Sequence, residues 1–296
     1  MRNYLETAKK YKGYHRSVLS QESFDYLHKR TLEIFRQIKS VLERNNIRYM
    51  VCGGTLLGAV TTGKFIPWDD DFDMCIFEED YARAINLLIE KMPKDVIVQC
   101  EQTEPRYFHG WAKVRDVNTK VIPATESYGN NGVWVDLYKL AMYHENEMPY
   151  RVAKEHLAYL RRRLFAKDIT KAEYKHRVKS ANIYNRILWG KVKSMLSKNK
   201  NDVYVIWSAS KIILQKEWVR PLSKCVLEGE EMTTFNSPEK YLAAHYGNDY
   251  AVLPPEELRM IGISEIQFIH GGGVQRYSRF YIPLLAVSCD GARSVA

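Results

Sequence analysis

The sequence has few of the features that mark secreted, zinc-binding or membrane-spanning proteins. Its five cysteines are scattered over 296 residues and include no Cys-x-x-Cys pair, which argues against a disulfide framework and a structural zinc site. The N-terminal stretch MRNYLETAKKYKGYHR has no apolar h-region, so we expect no secretory signal. These absences predict a protein of the reducing cytosol, and at most a peripheral one on the cytoplasmic face of the membrane.

Two further absences exclude common types of site. Residues 203–215 form the longest candidate membrane-spanning stretch, but Ser208, Ser210 and Lys211 interrupt it and it is too short to cross a bilayer. The sequence contains no Gly-x-x-x-x-Gly-Lys-Ser/Thr loop, which argues against a Walker-type ATPase. It also contains no His-x-x-x-His pair that would mark a metal site on a helix.

The charge distribution is the first positive feature. The composition, 46% hydrophobic and 27% charged, is that of a globular protein with one sizeable core or two smaller ones. Residues 151–200 contain fifteen Lys or Arg against Glu155, Asp168 and Glu173, a net charge of +12, whereas the rest of the chain sums to −3. This basic segment suits nucleotide phosphates, nucleic acid or an anionic membrane surface, or else it is a helical pair with a solvated basic face.

Helix and strand patterns alternate in the first half of the chain. Apolar residues recur at helical spacing over 23–45, and IRYMVCGG then predicts a short buried strand stopped by two glycines. The patterns that follow predict a helix start, a strand, a helix and three more strands, in this order: TLLGAV, FDMCIF, EEDYARAINLLIEKM, DVIVQC, GWAKVRD and GVWVDLYKL. The first half therefore predicts helices around one sheet.

After about Tyr150 the pattern changes. The stretches expected to be mostly helical are PYRVAKEHLAYLRRRLFAK, KSANIYNRILWGKVKSML and NDVYVIWSASKIILQ, and residues 220–296 are rich in loop signals. We therefore expect an α+β fold, with a mixed sheet core flanked by helices and a mostly helical C-terminal part. The expected organisation is an N-terminal extension (1–22), a catalytic core (23–147) and a basic, helical and loop-rich part (148–296) packed on the core.

The stretch GKFIPWDDDFDM, residues 63–74, places four aspartates within five positions beside a Pro-Trp pair. Residues two apart on a strand point to the same face, so Asp71 and Asp73 project together while their neighbours point into the core. Two adjacent carboxylates are costly unless a divalent cation lies between them or one takes up a proton. Carboxylate oxygens suit Mg²⁺ or Mn²⁺ better than zinc. A solvated loop or a helix cap is the alternative, and the apolar frame argues against it.

A third carboxylate and a glycine pair extend this pattern. In GVWVDLYKL the residues alternate so that Asp136 emerges on the face opposite the valines. Gly53 and Gly54 lie at a strand-to-helix junction, where the backbone can approach a phosphate closely, although an ordinary tight turn also explains them. A glycine pair, an Asp-x-Asp strand and a single Asp on a later strand form the order typical of nucleotidyltransferase-type folds. In those folds, carboxylate-bound metal ions neutralise a nucleotide di- or triphosphate.

The same stretch resembles a known family. YMVCGGTLLGAVTTGKFIPWDDDFDM closely resembles the signature of the LicD family of phosphotransferases, which includes the fukutin-related proteins. Further resemblance lies in WAKVRDVNT, GVWVDLYKL and KYLAAHYGNDYAVLPP, in blocks from about residue 23 to 255. The resemblance implies a nucleotidyltransferase-like fold, a divalent metal, and transfer of a phospho-alcohol such as phosphocholine from a CDP-linked donor to a sugar hydroxyl of a surface glycan.

The resemblance also implies roles for the aspartates. Asp71 and Asp73 would be metal ligands. Asp136 would be the third carboxylate, which binds metal or draws the proton from the attacking hydroxyl. Asp69 and Asp70 precede the strand, and we assign them to shaping the turn or supporting the ligands.

A second set of implied roles concerns phosphate. Gly53, Gly54 and Thr55 would border the donor phosphates, and Lys113 and Arg115, on one strand face, would offset charge on the transferred phosphate. An exposed strand face is the alternative for the two basic residues.

One departure from the family bears on the same contacts. Family members often have Arg-His where this chain has Thr61-Thr62, and Lys64 is the candidate replacement for the missing basic contact.

Three functional hypotheses follow. The leading one is metal-dependent transfer of phosphocholine from CDP-choline to a cell-surface glycan or lipid-linked sugar, with release of CMP; Trp111, Tyr128 and Trp134 are then candidates for a choline cage. The second is a nucleotidyltransferase acting at the α-phosphate of a nucleoside triphosphate. The third is a non-catalytic basic protein that binds nucleic acid or an anionic membrane through residues 151–200. The acidic cluster would repel a polyanion, which argues against nucleic acid.

Overall fold

Helices and strands alternate through the first half of the chain, as its periodicity predicts. The computed structural model describes the following residues: 19–122, 131–198, 201–208, 211–255, 259, 263, 265–270 and 273–277. Residues 1–18 of the expected N-terminal extension, the candidate cage residue Tyr128 and the tail after Tyr277 lie outside the described residues.

The elements of the first half are these: α1 (Gln21–Arg44), β1 (Tyr49–Val51), α2 (Gly53–Thr61), β2 (Phe72–Phe77), α3 (Glu78–Lys91), β3 (Val96–Gln99), β4 (Ala112–Asp116), β5 (Thr119–Ile122) and β6 (Trp134–His144). All but β5 are predicted by the sequence patterns. Helix α1 begins where the Ser20 side chain accepts a hydrogen bond from the Ser23 backbone N–H, and it buries an apolar stripe that includes Phe35 and Ile38.

The elements of the second half are α4 (Met148–Phe165), α5 (Lys171–Ser180), α6 (Ile183–Leu196), β7 (Asp202–Trp207), β8 (Ile212–Gln215), α7 (Lys216–Val219), β9 (Ser223–Leu227), β10 (Glu230–Thr234), α8 (Pro238–Tyr246), β11 (Glu265–His270) and β12 (Gly273–Tyr277). A 3₁₀ turn, Glu145–Glu147, precedes α4. The described part of the chain is thus a mixed α+β structure.

Strand β6 is the centre of the main sheet. It pairs in parallel with β2, and its first half also pairs antiparallel with β4. From Lys139 to His144 its partner on that side is β7, which in turn pairs with β8. The strand order is β1-β2-β6-β4-β3, with β7 and β8 attached to the second half of β6. The parallel β2–β6 pair matters most for function, because it aligns the strands that carry the aspartates.

The described residues of the C-terminal part are not mostly helical, and this corrects the expectation for the stretch 201–215. Within that stretch, Asp202–Trp207 and Ile212–Gln215 form β7 and β8, two strands joined to the main sheet through β6. Their β-branched and aromatic residues, such as Val203, Val205 and Ile212, favour a buried strand over a helix, and all three are buried here. The run is short and apolar, so its spacing fits both structures and the pairing with β6 decides between them.

Two smaller sheets complete the described fold. Strands β9 and β10 form a hairpin, and β5, β11 and β12 form a three-stranded antiparallel sheet. Helices α4 and α6 lie where helices are predicted in the basic segment, α5 lies between the two predicted stretches, and the three share a small apolar cluster around Leu157 and Ile183. Among the described residues, none of the helices has the length and apolar character needed to cross a bilayer.

Candidate active site

Three carboxylates converge where β2 and β6 lie side by side. Asp73 on β2 is opposite Asp136 on β6 in the parallel register, and Asp71 immediately precedes β2. One carboxylate oxygen from each of the three lies within 4.8 Å of the others. Asp73 and Asp136 are buried and Asp71 is half-buried. The structure therefore brings Asp136 next to Asp71 and Asp73, the two aspartates that strand alternation predicts to share a face.

The acidic loop adds two more carboxylates. Asp69 and Asp70 form a second group with Asp71, again with oxygens within 4.8 Å of one another. Within the described residues, Asp69 Oδ2 and Asp73 Oδ1 are buried and accept no hydrogen bond. Buried acceptors without donors are rare in folded proteins, because leaving them unpaired costs roughly 1–3 kcal/mol each. These orphaned oxygens are the feature that a bound cation would satisfy.

The electrostatics of the cluster lead to the same conclusion. Burial, reinforced by the charge of Asp136, raises the pKa of Asp73 to about 7, although hydrogen bonds from the Tyr138 hydroxyl and the Gly54 N–H oppose the shift. Burial and neighbouring carboxylates also raise the pKa values of Asp69 and Asp71 well above the usual range. The negative charge of this cluster is therefore under-compensated by the protein. A hard divalent cation such as Mg²⁺ or Mn²⁺ fits an all-oxygen set of this kind.

The glycine pair at the start of α2 lies directly against these carboxylates. Gly53 has a left-handed backbone (φ +56°), and a β-carbon built on it would lie 1.7 Å from Asp73 Oδ2. A β-carbon on Gly54 would lie 2.4 Å from Asp69 Oδ2. Thr55 continues the contact, because its Oγ1 accepts a hydrogen bond from the Asp73 backbone N–H at 2.9 Å. The glycines are therefore required for close approach of α2 to the aspartates, whatever else they bind.

Asp136 is held by donors on both of its oxygens. The indole Nε1 of Trp111 donates to Oδ1 at 2.6 Å, and that of Trp134 donates to Oδ2 at 2.8 Å. The Lys113 ammonium lies 3.0 Å from Oδ1, and it also lies 4.5 Å from the centre of the Trp134 ring. Asp136 is thereby fixed in direction, and its charge is partly balanced by one buried lysine.

The remaining basic candidates lie further from the cluster. Arg115 is buried beside Lys113 on β4, where it donates to the Gln99 side chain and, at 3.0 Å, to the Gly132 carbonyl. Its guanidinium is 5.0 Å from the centre of the Trp134 ring. Lys64 is exposed in the loop after α2, where the Thr62 hydroxyl donates to its carbonyl. The structure therefore brings Lys113 to the carboxylates, whereas Arg115 reaches Gln99, Gly132 and the Trp134 ring, and Lys64 is exposed.

Comparison with known sequences assigns this segment to a family. Residues 46–172, which contain all of the aspartates described above, match the sequence model of the LicD/FKTN/FKRP nucleotidyltransferase domain. This part of the chain belongs to the LicD family. The family prediction made from the acidic motif is confirmed.

Two relatives show how far the similarity extends. The chain is 25% identical over 243 residues to the lipopolysaccharide cholinephosphotransferase LicD of Haemophilus influenzae, covering 76% of this chain and 90% of that protein. It is 48% identical over 55 residues to the human ribitol 5-phosphate transferase FKRP, covering 19% of this chain and 11% of that protein. Similarity to the LicD protein therefore spans most of both chains, whereas similarity to FKRP is confined to a short block.

The structure adds tyrosines to this LicD-family site that sequence reasoning missed. Tyr138 lies two residues after Asp136 on β6, and its hydroxyl bonds to Asp73; strand alternation could have identified it. The Tyr241 hydroxyl accepts the Gly53 N–H at 2.8 Å. The charges of Asp73, Asp69 and Asp71 add to the effect of burial in raising the pKa of Tyr246. Helix α8, which carries Tyr241 and Tyr246, therefore packs against α2 beside the acidic cluster.

A cavity adjoins the LicD-family site across Trp111. It has a volume of about 300 Å³, and its wall includes the rings of Tyr81, Trp111 and Trp207. Glu155 and Arg162 of α4 also line it and form an ion pair at 2.8 Å. Trp111 contacts both Asp136 and this cavity, whereas none of the three converging aspartates lines the cavity.

Proposed function

We propose that this protein is a metal-dependent phosphotransferase that moves a phospho-alcohol, phosphocholine from CDP-choline, to a hydroxyl of a cell-surface glycan or lipid-linked sugar and releases CMP. The observation that carries the proposal is the convergence of Asp71, Asp73 and Asp136 inside the segment that belongs to the LicD family. The name of the Haemophilus influenzae relative supports choline as the alcohol, and that of FKRP supports the wider class of phospho-alcohols.

Residues 23–147, which contain the three carboxylates, are the proposed catalytic core, with residues 148–296 packed on it. The four cysteines in the described part of the chain are free thiols, which supports the proposed cytoplasmic location.

Asp71, Asp73 and Asp136 are the proposed ligands of Mg²⁺ or Mn²⁺, with Asp69 next to them. When bound, the cation would neutralise the diphosphate of the donor and the charge that develops on its phosphate oxygens. Phosphoryl transfer requires little covalent chemistry from the protein, so positioning and charge stabilisation are the main tasks of the site. Carboxylates on the paired strands β2 and β6, with α2 packed against them, suit those tasks.

The proposed reaction is attack of the acceptor hydroxyl on the β-phosphate of the CDP-alcohol. One oxygen–phosphorus bond forms to the acceptor, and the bond from the β-phosphorus to the bridging oxygen breaks, so that CMP leaves with that oxygen. We assign the hydroxyl proton to Asp71, the carboxylate of the three that solvent reaches. Asp136 suits a ligand role better, because both of its oxygens already accept hydrogen bonds.

Lys113 is the proposed fixed cation for the transferred phosphate. It is 5% exposed and reaches Asp136, so its ammonium lies at the edge of the carboxylate cluster without needing to move. Gly53, Gly54 and Thr55 are proposed to border the donor phosphates from the α2 side, where they contact Asp69 and Asp73. Arg115 is proposed to act from further away, by holding the Trp134 ring under Lys113.

The test is a panel of CDP-alcohols with Mg²⁺ and candidate glycans, scored for CMP formation. The proposal expects CMP release with CDP-choline, dependence on the divalent cation, and loss of turnover in Asp71→Ala and Asp73→Ala while the circular dichroism spectrum is unchanged. Near-normal turnover in either variant would rule out the assignment of the site. Turnover with CDP-ribitol or CDP-glycerol in place of CDP-choline would keep the chemistry and change the alcohol.

A nucleotidyltransferase is the second candidate, since the matching family segment is described as a nucleotidyltransferase domain. That reaction would attack the α-phosphate of a nucleoside triphosphate and release pyrophosphate. Incubation with labelled CTP separates the two reactions, because only the nucleotidyltransferase transfers the nucleotide label to the acceptor.

A further inference from the structure

The outer face of helix α6 is apolar although it faces away from the protein. Six of its large side chains are exposed: Tyr184 (57%), Leu188 (57%), Trp189 (61%), Val192 (37%), Met195 (80%) and Leu196 (78%). A solvent-facing helix surface normally carries polar residues, and single exposed apolar residues need no explanation. Six on one short helix form a contiguous patch, which marks an interaction surface. We call these six residues the α6 outer face.

The inner side of α6 is fixed by close packing on α4. Gly190 allows the approach, because a β-carbon on it would lie 2.9 Å from Tyr150 Cβ and 3.0 Å from the Tyr150 backbone nitrogen. Ile183 and Ser194, also on this side, are buried, and the Ser194 carbonyl accepts a hydrogen bond from the Asn146 amide at 3.0 Å. The orientation of the helix is therefore set by packing and does not depend on the exposed residues.

Basic residues border the α6 outer face on both sides. At about 100° per residue, the six apolar side chains occupy an arc of about 140° centred opposite Gly190, and Asn185 is the one polar residue of the helix within that arc. Lys191 lies at one edge of this arc, and Lys193 and Arg186 lie beyond the other. The helix contains no acidic residue. An apolar arc between two basic borders is the pattern of a helix that lies in the plane of a membrane interface.

The neighbouring helix α5 extends the basic border. A groove of about 570 Å³ between α5 and α6 is lined by Lys175, Lys179, Asn182 and Asn185, among others. Residues 151–200 as a whole have a net charge of +12 in a chain of +9. Beside the apolar arc there is thus a groove open to solvent whose wall carries two lysines among apolar side chains such as Tyr174 and Val178, and the lysines suit the phosphates of lipid headgroups.

We propose that the α6 outer face binds an anionic lipid bilayer, with its apolar side chains in the headgroup–acyl boundary and Lys191, Lys193 and Arg186 against the lipid phosphates. Charge selects a bilayer over a second copy of this chain. Two copies joined through this face would bring two basic borders together, whereas anionic lipids neutralise both borders at once. The proposal concerns binding alone and does not depend on the phosphotransferase reaction.

The test is sedimentation of the full chain with vesicles of phosphatidylcholine and with equimolar phosphatidylcholine and phosphatidylglycerol. The wild-type protein is expected to sediment with the anionic vesicles and to be released by high salt. The double variant Leu188→Ser/Trp189→Ser and the variant Lys191→Glu/Lys193→Glu should each weaken binding by at least about tenfold, because each removes one of the two contributions. Failure of the wild-type chain to bind anionic vesicles at low salt would overturn the proposal.

Matched controls distinguish binding through the α6 outer face from a general effect of losing exposed apolar residues or positive charge. Val252→Ser/Leu253→Ser removes two adjacent exposed apolar residues elsewhere, at 58% and 69% exposure, and should leave binding unchanged. Lys29→Glu/Lys94→Glu makes the same change of net charge at exposed positions and should reduce binding far less than the α6 reversal. Equal losses in the α6 variants and in their controls would show non-specific attraction and overturn the proposal.

A depth measurement and a mass measurement complete the test. Lipids brominated near the headgroup should quench tryptophan fluorescence in the wild type, and Trp189→Phe should remove most of that quenching. The mass of the lipid-free chain, measured by light scattering, tests the alternative that a second copy of this chain covers the α6 outer face. A dimer that Leu188→Ser/Trp189→Ser dissociates, together with unchanged vesicle binding, would assign this face to a second copy and contradict the proposal.

Discussion

Gly53 lies so close to Asp73 that no side chain fits between them: a β-carbon on Gly53 would be 1.7 Å from Asp73 Oδ2. The contact joins the first residue of α2 to the carboxylate that the β2–β6 pair places beside Asp136. The pair Gly53-Gly54 therefore has a defined structural role, which is to let the N-terminus of α2 approach the carboxylates.

Gly53→Ala should displace the Asp73 carboxylate and lower turnover by about two orders of magnitude, since an error of about 1 Å in a reacting group has effects of that size. Gly63→Ala is the matched control. Gly63 also has a left-handed backbone (φ +71°) but has nothing within 4 Å of its β-carbon position. It should lose roughly 1–2 kcal/mol of unfolding free energy from backbone strain and keep its turnover. Equal turnover in the two variants would contradict the close-approach argument.

Neutralising one carboxylate should stabilise the metal-free protein. Asp73→Asn keeps the size of the side chain and removes a buried charge whose pKa is raised to about 7. In EDTA at neutral pH, its unfolding free energy should exceed that of the wild type by about 1–3 kcal/mol, measured by urea denaturation. Asp25→Asn, at an exposed position on α1, should leave the unfolding free energy within about 0.5 kcal/mol of the wild type. A less stable Asp73→Asn protein would show that the cluster is already balanced without a cation.

The indole N–H of Trp111 should matter separately from its ring. Trp111→Phe keeps an aromatic wall in the cavity but removes the donor 2.6 Å from Asp136 Oδ1. We expect kcat to fall by about tenfold with little change in KM, because the variant loosens a positioned carboxylate. Trp207→Phe is the control, since its indole lies in the same cavity and faces the Tyr143 hydroxyl at 3.4 Å. A larger effect on KM than on kcat in Trp111→Phe would assign the residue to substrate binding.

Glu230 should make the stability of the protein sensitive to acid. Its carboxylate bonds to Lys39 at 2.7 Å and to Arg36 at 2.9 Å, and these hydrogen bonds lower its pKa below the usual value of 4.5. A lowered carboxyl pKa contributes stability that is present above pH 4.5 and is lost as the pH falls through the folded-state value. Glu230→Gln should therefore be less stable than the wild type by about 1 kcal/mol at pH 7, and the difference should vanish in acid.

Urea denaturation across this pH range measures the effect. Glu239→Gln, at an exposed position on α8, is the control and should stay within about 0.5 kcal/mol of the wild type at pH 7. A Glu230→Gln difference that is the same at pH 7 and in acid would exclude the ion pairs as its cause.

The parts of the fold that local pattern determines were predictable. Helix α1 and strand β2 follow from residue spacing alone, and the meeting of Asp71, Asp73 and Asp136 follows from strand alternation with the motif order. Residues 201–215 were not predictable in this way. A short apolar run fits helix and strand equally well, and its pairing with β6 depends on a strand about sixty residues earlier in the chain.

The residues that support the carboxylates could not be predicted from local sequence either, because their contacts also depend on distant parts of the chain. Trp111 and Trp134 were candidates for a choline cage, but in the structure their N–H groups point at Asp136, a direction that only the packed fold defines. Tyr241 reaches Gly53 across 188 positions of sequence. Tyr138 is the exception, because its place two residues after Asp136 on a predicted strand puts it on the same face.

Calorimetric titration of the purified chain with Mn²⁺ tests the central claim most directly, because it measures whether the aspartates of β2 and β6 hold a divalent cation. The account predicts saturable Mn²⁺ binding by the wild type and by Asp25→Asn, accompanied by proton release, and its loss in Asp73→Asn and Asp136→Asn. Binding of equal strength in all four proteins, or none in the wild type, would contradict it.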